Sequence, residues 1–576
     1  MKSVKHIASF LLSIGYFTTV WGQAGSKFRV IGGARSIVSN NRIEVFDSIP
    51  DNTTAKANNG GYALFDLGFD ITPNKNTEIL GMFRINNQYG GFYGAGVTFD
   101  IRQLWIKGII ADVVRYQLGD INVKQTPFTL YNHNEDQTIS MPKVFDLQRQ
   151  IVNYESFYKD NTWRQQGLSL DWGLEFNSPV KEINFIGYLL RLNATNFAQT
   201  SERLMGGGTV EGKFGEHVVV AYNLASIFDV SGTAMNNQLY HNTVQTGSFK
   251  YSLNPWKIPV KLEGEFGTSA FGIEQDTLAP ELNDYFVHSA ISTQSKNKES
   301  KYKWNLKLGY LNVGPDFRSP GAQSKRIDYS TQPGLFNRYK QSQMDRPISW
   351  GDAQWQIPLY RIGISTKMMD FNYLVNPVLP YGIATFNRQG IYVDGSVNLG
   401  SVHNTLNVSH YELSEIRGQG TEELRKFRMS KLELSNKLGN YFHWNRTLNL
   451  THSISYQSSR RNSNFEFERT DYQLIQGSTG LEWEFSPKLE WLIGYTLSYG
   501  KGNETRAERN IYAEIIDFKP VNIDQRHSVF STGMRCNFGE NAYLAVIYQS
   551  QQYQDFLKTF DKYAINQWLI IYNLTF

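Results

Sequence analysis

A single transmembrane antiparallel β-barrel is the fold class this sequence predicts. Three features predict it: an export signal at the start, an alternating apolar strand at the end, and many short period-two segments between them.

Lys2 and Lys5 open the chain, Ile7 to Val20 is mostly apolar, and Val20-Trp21-Gly22 precedes Gln23. That is the layout of a secretory signal peptide over residues 1–22. A buried N-terminal helix is the alternative. No Cys stands at the cleavage point, so a lipid anchor is not expected there. No later stretch reaches the ~18 consecutive apolar residues of a spanning helix. Mean hydropathy is −0.41. A helical membrane protein is thereby excluded. A barrel is not, because its strands are only half apolar.

Formal net charge is +4 and falls to +2 once Lys2 and Lys5 are removed, since residues 1–22 hold no Asp or Glu. So near-neutral a chain gives nucleic-acid binding no support. Cys536 is the one cysteine, which rules out an internal disulfide framework. Aromatic residues make up 14%, with 33 Tyr and 36 Phe against 17 Pro. This suits a sheet with aromatic girdles at two interfaces, although a large secreted β-sandwich shares it.

The last residues separate these two. Trp568, Ile570, Tyr572, Leu574 and Phe576 fall on one face, and Gln567, Leu569, Ile571, Asn573 and Thr575 on the other. Period two on a final strand implies one face in lipid and one turned inward. Trp568, Tyr572, Leu574 and Phe576 form the expected assembly signal.

The mature part, 23–576, reads as one outer-membrane β-barrel. Tight turns recur, among them Thr72-Pro73-Asn74-Lys75, Ser178-Pro179-Val180-Lys181, Phe214-Gly215-Glu216-His217, Ser486-Pro487-Lys488 and Phe538-Gly539-Glu540-Asn541. Longer polar stretches alternate with them, at 39–58, 123–162, 271–298, 314–350 and 501–524. Short periplasmic turns and long outer loops give this asymmetry. Strands between them alternate. Leu489, Trp491, Ile493, Tyr495, Leu497 and Tyr499 oppose Glu490, Gly494, Thr496 and Ser498, with Leu492 out of pattern. The tally is about 20 strands (18–22), even in number, with no N-terminal plug domain.

Phe99 to Phe128 resembles a segment of porin-like outer-membrane barrels, in which an Arg-containing strand leads to one carrying Gly-Asp, here Gly119-Asp120. Asp524-Gln525-Arg526-His527 looks like a start common in barrel strands near the C-terminus. A Gln after signal cleavage is frequent in secreted proteins of Bacteroidetes. Together they resemble a porin-like barrel of that phylum. The resemblance implies a class of barrel and no particular solute.

Chemistry is sparse. The ten His fall in no catalytic motif, and no Cys/His metal spacing or phosphate-binding glycine loop appears. No enzyme activity, catalytic residue, cofactor or metal is expected. Function is expected in the lumen, at Arg84, Asp100, Arg102, Arg191, Glu263, Glu265, Glu482 and Glu484. Rings of Arg select anions in pores, while Asp100, Asp171 and the Glu residues oppose that bias. Loop 123–162, with Lys124, Asp146 and Arg149, is long enough to fold inward as a constriction.

The first functional reading is a porin-like channel for small hydrophilic solutes. The second is a non-conducting partner in an outer-membrane secretion, motility or surface-protein complex. A barrel hydrolase is the third. Expected partners are outer-membrane lipid and lipopolysaccharide, the barrel-assembly machinery and a small solute, with no nucleic acid.

Overall fold

In a computed structural model of the chain, residues 27–45, 57–89, 97–131, 139–156, 165–198, 201–235, 238–255, 258–274, 281–295, 302–323, 374–400, 404–418, 421–509, 515–557 and 562–576 are described. The expected signal peptide, 1–22, lies outside the described residues.

Twenty-two strands follow one another. They are β1 Lys27–Val45, β2 Ala57–Asn74, β3 Thr77–Gln88, β4 Val97–Ile110, β5 Val114–Ile121, β6 Gln165–Glu175, β7 Val180–Asn193, β8 Arg203–Phe214, β9 Val218–Asp229, β10 Leu239–Leu253 and β11 Val260–Glu274. The second half comprises β12 Leu282–Gln294, β13 Tyr302–Val313, β14 Arg388–Leu399, β15 Asn404–Ser414, β16 Lys426–Lys437, β17 Leu448–Arg461, β18 Thr470–Ser486, β19 Leu489–Arg509, β20 Ile515–Asn537, β21 Ala542–Asp555 and β22 Lys562–Thr575. Each pairs antiparallel with the next, and β22 pairs with β1 from Gly33↔Thr575 to Val45↔Tyr563. The sheet is therefore a closed cylinder, which removes the first and last edges that an open sheet would expose. The number is even and at the upper end of the expected range.

The expected loops at 39–58 and 501–524 are in part wall, because β1 runs to Val45, β2 begins at Ala57, β19 runs to Arg509 and β20 begins at Ile515. The expected loop 271–298 contains β12. Its alternation is concealed because its inward residues Phe286 and Ala290 are apolar and buried. Phe286 stacks on Phe128 with ring centroids 4.0 Å apart.

Strands alternate by period two. On β22, Trp568, Ile570 and Tyr572 are 53%, 45% and 38% exposed, whereas Leu569 and Ile571 are buried. Leu574 is half-buried and Phe576 exposed. Phe28, Phe69, Phe83 and Phe99 form a chain of outward rings across β1 to β4, with centroids 5.8, 6.3 and 5.7 Å apart. Aromatic and aliphatic side chains on the outer face suit a wall facing lipid.

The interior is occupied. After β5 the chain enters the lumen. Gln125 donates to the carbonyl of Gly208 at 2.7 Å, and Phe128 and Leu130 are buried against the inner wall. It then forms a helix, α1, Lys143–Ser156. Segments 314–323 and 374–387 also lie inside, where Phe317, Val378 and Leu379 are buried against wall strands.

The position of α1 explains the residues that break the alternation. Its Val144, Phe145, Leu147 and Ile151 form one cluster with Ile37, Leu492, Val529, Ala545, Ile547, Leu569 and Ile571. These wall residues come from β1 and from β19 to β22, on both sides of the closing seam. A water-filled lumen gives no reason for Leu492 or Ile571 to point inward. An apolar helix face does, since each buried aliphatic side chain contributes about 1.5–3 kcal/mol. The wall also makes room for the helix start. A Cβ on Gly494 would lie 2.6 Å from Val144 Cγ1 and 2.8 Å from Phe145 Cε2.

Candidate functional site

Both ends of α1 are fixed to the wall by charge. At its start, the Lys143 ammonium pairs with Glu482 and lies 3.3 Å from Glu490. Arg535 and Asn537 donate to Glu490 at 2.7 and 2.9 Å, and Asn449 donates to Glu482 at 3.0 Å. Glu484 accepts from the Thr447 amide at 3.3 Å. Thus Glu482 and Glu490 anchor the helix, whereas Glu484 bonds the backbone of the neighbouring wall segment.

At the other end, the Tyr154 hydroxyl donates to Asp66 Oδ2 at 2.7 Å. Arg84 reaches both oxygens of the same carboxylate, each at 2.8 Å, and Arg102 Nε lies 3.5 Å away. Arg102 also donates to the Tyr154 carbonyl. The guanidinium carbons of Arg102, Arg35 and Arg84 lie 4.1, 5.1 and 5.8 Å from the Tyr154 ring centre. Charge-assisted bidentate bonds are the strongest of the ordinary hydrogen bonds. Cation–π contact adds to them where water is excluded. Asp66 is fully buried, Arg102 and Arg35 nearly so. Burial, aided by the Asp66 charge, pushes the Tyr154 phenol up to about 12, so it remains a donor at neutral pH.

The cluster gathers residues 35, 66, 84, 102 and 154, from four neighbouring strands and the helix. Three guanidiniums thus gather around the Tyr154 ring, and Arg84 and Arg102 reach the buried Asp66 carboxylate. Asp100 stands opposite Arg84 in the β3–β4 register and is exposed. A shift in that register between Met82 and Phe83 accompanies the inward turn of both Arg102 and Gln103, which are buried side by side.

Of the other expected lumen residues, Glu263 pairs with Lys307, and Glu265 is buried on the same face of β11. Asp171 pairs with Arg115 at 2.7 Å. Within α1, Asp146 pairs with Arg149. Arg191 departs from the expectation. Leu190 is buried with Ile121, Leu130 and Met205, and Leu192 packs against the same cluster. Arg191 therefore shares the opposite face with the exposed Leu189. It lies near the end of β7, 54% exposed, with Glu202 at 2.8 Å. The in-folded chain makes the inner face apolar there, which reverses the side expected to be polar.

Arg35, Asp66 and Tyr154 were not singled out in the sequence. Asp66 alternates with Phe65 and Leu67, as an inward polar residue should, but that signal is shared by dozens of positions.

No family model and no curated protein matches the chain. Solved structures do resemble it. Wzi of Escherichia coli, described as a carbohydrate-binding β-barrel involved in group 1 capsule assembly, is 10% identical with a TM-score of 0.34, covering 75% of this chain and 81% of its own. OpdK of Pseudomonas aeruginosa, solved with vanillate, is 8% identical with a TM-score of 0.36, covering 95% and 99%. The channel DcaP of Acinetobacter baumannii is 9% identical with a TM-score of 0.27, covering 96% and 99%. At such identities and scores these likenesses carry no inference about cargo.

Proposed function

We propose that this protein is a porin-like outer-membrane channel, of Bacteroidetes type, for small hydrophilic solutes. The observation that supports it is a closed 22-stranded wall, apolar outside, whose interior holds a helix tied at both ends by charge. A barrel of that size has room for an aqueous path beside the in-folded chain. Arg35, Arg84 and Arg102, gathered on one side of the lumen, bias the path toward anions, as rings of Arg do in pores. Lipid and lipopolysaccharide surround the wall, and the assembly machinery reads Trp568, Tyr572, Leu574 and Phe576.

Conductance in planar bilayers tests the reading. A salt gradient should give a reversal potential on the anion side, and the Arg84→Gln/Arg102→Gln variant should move it toward zero. The same ratio in both proteins refutes the assignment of selectivity. No conductance at all refutes the channel and favours a non-conducting partner in a secretion, motility or surface-protein complex, a reading that the three in-folded segments support.

A further inference from the structure

Three successive strand pairs each carry one ion pair near the end of the wall that holds the short turns. Lys107 Nζ lies 3.0 Å from Glu78 across β3 and β4, Arg115 lies 2.7 Å from Asp171 across β5 and β6, and Lys213 lies 2.6 Å from Glu182 across β7 and β8. All six side chains face the lumen. Lys107 sits over the ring of the inward Trp105, 4.3 Å from its centre. Gln117 stands opposite Lys107, and Arg115 follows on the same face of β5. Leu118 and Leu174 alternate with Arg115 and Asp171 and are exposed on the outer face. Glu182 and Lys213 share their faces with the buried Tyr188 and Met205. Glu175, exposed, stands directly opposite Glu182 in the β6–β7 register.

The order of the charges reverses from one strand pair to the next. It runs anion then cation on β3–β4, cation then anion on β5–β6, and anion then cation on β7–β8. Lys107 and Arg115 therefore neighbour each other on β4 and β5, whereas Asp171, Glu175 and Glu182 gather on β6 and β7. A cationic stripe stands beside an acidic one. The pairs are open to the lumen: Arg115 and Asp171 are 69% and 37% exposed, and Lys213 and Glu182 are 48% and 29% exposed. Exposed pairs of this kind are weak and exchange readily. A single ion that displaces one member strands the other. A solute bearing both a carboxylate and an ammonium meets both members at once and strands neither.

The spacing sets the size of that solute. Neighbouring strands are ~4.8 Å apart, so the middles of the two stripes, two strands apart, are separated by ~10 Å. An extended peptide spans ~3.3–3.6 Å per residue, so about three residues carry its two ends that far. We propose that the inner wall of β4 to β7 binds short zwitterionic peptides of about three residues. The terminal carboxylate lies on Lys107 and Arg115, and the terminal ammonium on Asp171, Glu175 and Glu182. Entry of the peptide rests on the channel reading above, whereas its binding does not depend on conduction.

The test uses the full-length protein in phosphocholine nanodiscs at neutral pH, with saturation-transfer NMR as the measure of binding. Trialanine should bind about fivefold more tightly than N-acetyl-trialanine amide, the gain expected from two exposed ionic contacts. N-acetyl-trialanine and trialanine amide, with one charge each, should gain less than trialanine, and so should free alanine, which is too short to reach both stripes. Arg115→Asp/Asp171→Arg keeps the ion pair and the net charge but mixes the stripes, and it should abolish the preference. Equal binding of free-ended and blocked peptides overturns the proposal, as does a preference that survives the exchange of Arg115 and Asp171. A protein that conducts ions without preferring trialanine loses the peptide site and keeps the channel. One that prefers trialanine without conducting keeps the site and loses the channel.

Discussion

Replacing Phe145 by Ala separates the helix from the wall. Phe145 is fully buried between α1 and the closing seam, in contact with residues of β1 and β19 to β22. Truncating such a ring costs about 3–5 kcal/mol, transfer and residual cavity together. The loss falls on docking of α1 and not on the wall, whose ladders are untouched. At about 1.4 kcal/mol per factor of ten, ~3 kcal/mol raises the undocked fraction roughly a hundredfold. Trypsin reports this directly, because Arg149 lies within α1 and is cleaved only when the helix leaves its seat. Where reclosing outpaces cleavage, the rate follows the open population. Cleavage after Arg149 should therefore accelerate about a hundredfold in Phe145→Ala, while the barrel stays heat-modifiable and resists the protease elsewhere. Single-channel conductance should rise in the same protein. Equal cleavage rates in the two proteins would show that the apolar face of α1 does not hold it, and the explanation offered for Leu492, Leu569 and Ile571 would fail.

N-terminal sequencing of the outer-membrane form should begin at or within a few residues of Gln23; retention of Met1 there refutes export by cleavage. Tyr572→Asp/Phe576→Asp should block assembly, read as loss of the heat-modifiable form, since both side chains point outward and a charge facing lipid costs up to ~2–4 kcal/mol, less near the interface. Arg191→Gln should leave the anion-to-cation ratio unchanged, because Arg191 lies on the outer face beside Glu202; a shift equal to that of Arg84→Gln would return it to the lumen. The raised Tyr154 pKa favours the protonated folded state. Its stabilisation is fully present below the ordinary tyrosine value near 10 and is lost as pH rises through about 12. Thermal stability of the native protein should fall across that window more steeply than that of Tyr154→Phe.

The wall was legible because each strand repeats the same alternation, and because turn residues and both chain ends point to one architecture. The irregular positions held information too. Leu492, Leu569 and Ile571 sit on the wrong side for a wet lumen, and each is a footprint of α1. Gly119-Asp120, which carries the resemblance to porin-like barrels, marks where β5 parts from β4. The arginine cluster was half legible. Arg84 and Arg102 stand out on polar faces, but Asp66 meets Arg84 only through the β2–β3 register, and Tyr154 is brought to them by a helix whose path no local pattern reveals. Arg191 lies between Leu190 and Leu192, so alternation there fixes two faces without saying which is inner. The in-folded segment decided it, and inward apolar packing depends on contacts more than fifty residues distant in the chain.

The seat of α1 also constrains the order of assembly. The helix occupies residues 143–156, yet its partners on β19 to β22 arrive more than three hundred residues later. Contacts of such sequence separation form late, since the loop must close before they reward it. Until β22 reaches β1, the inner stripe of Leu492, Val529, Ala545 and Ile547 has nothing to cover it, and the helix has no complete berth. Zipping the final seam and seating the helix are thus two halves of one event. A chaperone or insertase that delays the seam must hold an amphipathic strand sheet and a loose helix apart within the same half-built cylinder.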